Sequence, residues 1–62
     1  MTDAMRKKIE DYHKEEIADR DKYKALAEEL RREGYDHCAG VMCDMAHEEE
    51  THAHMLSHIL NW

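Results

Sequence analysis

Apolar and soft residues in the second half of the chain recur in steps of four and three. Cys38, Met42, Met45, Leu56 and Ile59 form one stripe, with Glu49 and His52 at its two middle positions. Such a repeat marks a helix with one buried face. The first half carries a matching stripe of Met5, Ile9, Tyr12, Glu16, Asp19, Tyr23, Leu26 and Leu30, again apolar except near its centre. No proline occurs, and the helical pattern first breaks at Gly34. The pattern predicts helix 1 over about residues 3–33, a turn at 34–36 and helix 2 over about 36–60. Thr2 is placed to cap helix 1, Arg31 and Arg32 suit its carbonyl end, Gly34 suits a left-handed closure, and Asp36 is expected to cap helix 2. So short a connection makes the helices antiparallel neighbours. The expected fold is all-α, a single-domain helical hairpin spanning 1–62.

The apolar arc of helix 2 is wider than one neighbour needs. Ala39, Ala46, Ala53 and Leu60 border the stripe on one side, Val41 and Met55 on the other. At 62 residues the chain also falls short of the ~70–80 at which one core usually suffices without metal, disulfide or self-association. Both observations lead to a homodimer in which two hairpins make a four-helix bundle. Asp3 with Lys7, Glu10 with Lys14 and Glu28 with Arg32 have the spacing of ion pairs on a solvated face.

The polar interruptions carry the chemistry. Glu49 and His52, three apart on a helix, point the same way and can grip one metal ion. A carboxylate and an imidazole on a buried stripe lose hydration and need a partner charge, a proton or a metal. Glu16 lies about 18 residues before the turn and the Glu49/His52 pair about 16 after it, or ~28 and ~24 Å along the two helices, so the three come level. One hairpin offers two carboxylates and one imidazole, too few for two ions. A two-fold axis through the site supplies four Glu and two His, the set found in carboxylate-bridged di-iron and di-manganese bundles. Two divalent cations would neutralise the four carboxylates, and hard oxygen ligands with one imidazole per ion suit Fe, Mn or Zn. The rival readings are a Zn- or Mn-binding site without turnover, and a metal-free polar layer that fixes register in an interaction module.

Other candidates are weaker. Asp19 is read as a partner for His52 behind the ligands, with an extra ligand or the mate of Arg20 as alternatives. His13 borders the seam one turn before Glu16 and is read mainly as packing. His47, His54 and His58 lie on the far side of helix 2; His54 and His58, four apart, have the spacing to chelate Zn in trans, while the plainer reading is surface histidines. Cys38 and Cys43 point in different directions, which argues against a disulfide within the helix. The net charge of −6 gives no basic face for nucleic acid. No apolar run approaches the ~18 residues of a membrane span and no signal peptide is visible, so the expectation is a cytoplasmic protein with no membrane partner.

Three segments together resemble one half of a rubrerythrin di-iron domain: Glu16 followed seven residues later by Tyr23, the run Ala27-Glu28-Glu29-Leu30-Arg31-Arg32-Glu33-Gly34-Tyr35, and Ala46-x-x-Glu49-x-x-His52-Ala53. The chain is similar in this to the rubrerythrin and ferritin-like superfamily in its single-hairpin, encapsulated-ferritin-like form. The resemblance implies Glu16 and His52 as terminal ligands, Glu49 as a bridging ligand and Tyr23 as a hydrogen-bond donor to a ligand carboxylate. It implies two Fe ions per dimer and a ferroxidase-like oxidation of Fe(II) by O2 or peroxide. With two cysteines the sequence has no four-cysteine rubredoxin-like module, and a single dimer cannot enclose a mineral cavity, so oxidation of iron is expected rather than storage of it.

Overall fold

The computed structural model describes all 62 residues, Met1–Trp62. Two helices account for nearly all of them: α1, Asp3–Arg32, and α2, Asp36–Leu60. They pack against each other as an antiparallel hairpin without strands. Helix 1 begins where the Thr2 hydroxyl accepts the Met5 N–H at 3.1 Å, satisfying one of the amides that a helix start leaves free. It ends in a Schellman closure. Gly34 takes φ +89°, its N–H donates to the Arg31 carbonyl at 3.1 Å, and the Tyr35 N–H donates to the Leu30 carbonyl at 2.8 Å.

This closure corrects one expectation about the turn. The chain re-enters a helix as soon as the closure is complete, so Tyr35 takes the N-cap position, without a side-chain hydrogen bond, and Asp36 is already helical. The Asp36 carboxylate therefore sits in the first turn, where it complements the helix dipole instead of capping. At the other end, the Arg6 guanidinium donates to the Leu60 carbonyl at 3.0 Å. The hairpin is thus tied across both ends.

Between those ends the packing is thin. Only Ala27, Ala39, Ala46 and Ala53 are buried, each at most 1% exposed, and no large side chain is enclosed. Alanines at the contact let the helices approach closely. The row Ala39, Ala46, Ala53 that was expected to border the stripe is in fact the centre of the hairpin contact, about a quarter turn from it. Along α1 the same shift brings Ala27, His13 and Arg20 to the hairpin side, while Ile9, Glu16, Tyr23 and Leu30 are half-buried at its edge. Met5, Tyr12 and Leu26 face outward at 56%, 52% and 42% exposure. The expected ion pairs do not form; Lys7 instead joins Asp11 at 2.8 Å.

The result is a rod. Its Cα radius of gyration is 14.4 Å and its extents 48 × 14 × 11 Å. A compact chain of this length would have a radius of gyration of about 10.5 Å. Its accessible surface is 4795 Å², against about 4200 Å² for a compact monomer of its mass. Neither helix is long and apolar enough to cross a membrane.

Candidate metal centre

Two helices bring three donors, Glu16 lying 36 residues before His52, to one point halfway along the rod. Each of Glu16, Glu49 and His52 offers one ligand atom, and these atoms lie within 4.8 Å of one another. The His52 Nδ1 is 3.4 Å from the Glu16 Oε2 and 3.8 Å from the Glu49 Oε1. Two donors held at about 2.1 Å from one ion lie no more than about 4.2 Å apart, so both distances fit a shared cation. Two carboxylates and an imidazole are also the right chemistry for Fe, Mn or Zn. The side chains of Glu16 and Glu49 are 26% and 19% exposed and that of His52 is 51% exposed. The group therefore opens sideways, onto the same face as Met5, Tyr12 and Leu26.

The two carboxylates of the group perturb each other in opposite directions. The Glu16 carboxyl is held below its ordinary pKa by a hydrogen bond from Glu49, against the effect of desolvation, with His52 adding to the lowering. The Glu49 carboxyl is pushed up by the same hydrogen bond, then by desolvation and by the negative charges of Glu16 and Asp19, while His52 pulls it down. Glu49 thus holds its proton more tightly than an ordinary carboxyl and Glu16 less tightly, because two carboxylates side by side cannot easily both be ionised.

The neighbours separate clearly. Asp19 contributes charge to Glu49 but pairs with Lys22 at 3.5 Å, not with His52 or Arg20. Tyr23 lies on the face of Glu16, half-buried. His13 is half-buried beside the hairpin seam and is not among the converging ligand atoms. His47, His54 and His58 are exposed. Arg20 is the residue whose part the sequence left open. It reaches Asp21 at 2.9 Å and crosses to Glu50 at 3.4 Å, fixing α1 to α2 one residue from Glu49. The signal was its place four residues after Glu16, opposite an acidic run; what hid it was the choice among three acidic partners.

No curated protein and no solved structure matches the chain. The rubrerythrin family matches residues 9–61, a span that contains all three converging donors, all of α2 and most of α1. The chain belongs to the rubrerythrin family.

Proposed function

We propose that two hairpins pair through their open faces into a four-helix bundle, and that the dimer holds two metal ions and oxidises Fe(II) with O2 or peroxide. The observation that carries this reading is the convergence of Glu16, Glu49 and His52 halfway along a hairpin, on its uncovered side. Family membership implies a di-iron carboxylate protein. A two-fold axis beside the group turns three donors into six and covers Met5, Tyr12 and Leu26 with the same contact. Assembly and metal binding then reinforce each other, since each completes what the other needs.

Glu16 and His52 would each hold an ion from one side, and Glu49 would be shared between the ions. A metal ion would compete with the proton that Glu49 holds more tightly than an ordinary carboxyl, and Glu16 and Glu49 would then serve as its ligands. Tyr23 is proposed to donate its hydroxyl to a ligand carboxylate once the bundle forms; within the hairpin that hydroxyl makes no hydrogen bond. Fe(II) is the substrate: two ions give up one electron each, and O2 with two protons is reduced to hydrogen peroxide.

The test is an anaerobic Fe(II) titration of the purified protein, followed by air, with Glu49→Ala in parallel. The proposal expects saturation at one iron per chain, oxidation faster than in buffer, and loss of both in the variant. Saturable binding without accelerated oxidation would reduce the centre to a Zn- or Mn-type holding site. Binding indifferent to Glu49 would leave a metal-free polar layer in a helical interaction module.

A further inference from the structure

The back of α2, turned away from both α1 and the open face, carries His47, Thr51, His54 and His58 at spacings of four, three and four. Two residues along a helix rotate a side chain by about 200°, so His54 points away from His52 and the carboxylate centre. His54 and His58 line a groove of about 440 Å³ with Thr51, Met55 and Ile59. Of the six histidines only His52 makes a side-chain hydrogen bond, so the ring nitrogens of His54 and His58 have no partner within the chain. Imidazoles four apart on one helix face are neighbours at about 5–6 Å between Cβ atoms, the spacing with which a helix grips zinc.

We propose that His54 and His58 form a second metal site, separate from the carboxylate centre, for an imidazole-preferring divalent cation of the Zn(II), Ni(II) or Cu(II) class. The donor chemistry sets the preference. No carboxylate lines the groove, so a cation is held there by nitrogen lone pairs and not by charge, and imidazole favours the later members of the first transition row. The Met55 thioether beside the pair leans the same way. Two protein donors leave the remaining positions to water, so the ion is exchangeable rather than enclosed. This inference stands whether or not the carboxylate centre binds iron.

The chain carries its own reporter. Trp62 is the only tryptophan, and its ring centroid lies 5.6 Å from that of His58 at an interplanar angle of 43°. Ni(II) bound at His58 quenches Trp62 fluorescence at short range. Titrating Ni(II) into the wild type, Glu49→Ala and His54→Ala tests the site; His54 is exposed, so its replacement is expected to leave the helix intact, which circular dichroism checks. Saturable quenching at one Ni(II) per chain is expected in the wild type and in Glu49→Ala, and its loss in His54→Ala. Quenching that persists in His54→Ala, that disappears in Glu49→Ala, or that never saturates would overturn the proposal.

Discussion

The seam between α1 and α2 and the open face of the hairpin are built from opposite materials. The seam is alanine, with Ala27, Ala39, Ala46 and Ala53 sealed from solvent. The open face carries Met5, Tyr12 and Leu26 in the light, with two carboxylates and an imidazole set among the apolar positions. Small residues bring two helices together but bury little area; at roughly 25 cal/mol per Å², methyl groups alone cannot hold a rod of this length. The large side chains are kept for the other face. Large apolar side chains and the three converging donors therefore lie on the side that one chain leaves uncovered, and the proposed pairing would tie stability to assembly.

The sharpest way to break this contrast is to charge the open face. Leu26→Lys is expected to abolish the proposed dimer, read by sedimentation, and with it saturable iron binding, because half of the proposed ligands would leave with the partner. If the variant stays dimeric and binds iron, the open face is not the interface.

The seam should respond to size rather than charge. Ala46→Leu forces extra methylenes between helices that touch there, and is expected to cost about 1–3 kcal/mol in chemical unfolding. The same change at an exposed position would cost nothing comparable, so a neutral result would move the seam elsewhere.

Acidity acts on the centre and leaves the seam alone. Because Glu49 has a raised pKa, it keeps its proton to higher pH than an ordinary carboxyl. A metal must displace that proton, so affinity falls by up to about tenfold per unit as pH drops through the raised value. Calorimetric metal titrations across the acid range read this directly. In the metal-free protein the signs differ. Glu49, raised, favours the fold at low pH and loses that contribution as pH rises through its folded value; Glu16, lowered, contributes above its ordinary value of 4.5 and loses it as pH falls through its folded one. The pair thus favours the metal-free fold most between the two values.

The smallest effect belongs to the turn, which serves both faces equally. Gly34→Ala meets no atom within 4 Å, so its only penalty is backbone strain at φ +89°. A loss of about 1 kcal/mol is expected in thermal unfolding, with iron stoichiometry unchanged.

Much of this was legible before any coordinates. Helix limits followed from period and from Gly34, whose lack of a side chain suits the left-handed closure that it adopts. The level placement of Glu16 with Glu49 and His52 followed from counting residues away from the turn, and the donors converge as that count required. The Asp36 cap was misjudged because a Schellman closure uses the next residue, Tyr35, and leaves no separate loop position. The surface ion pairs were misjudged because several acids and bases compete within one helical turn, and long side chains choose among them by small differences. Asp19 shows the same: its neighbours included Arg20, yet it holds Lys22.

What the sequence determined by itself was periodicity: two helices, their ends, an apolar arc too wide for a single neighbour and three donors at one height. What only the tertiary structure decided was rotation about the helix axes. A heptad pattern fixes which residues share a side, but a wide arc has two edges, and either can meet the partner helix. The closest approach went to the edge lined with alanine, because small side chains let two backbones come together. That rotation turned Glu16, Glu49 and His52 out of the hairpin seam and toward its open face.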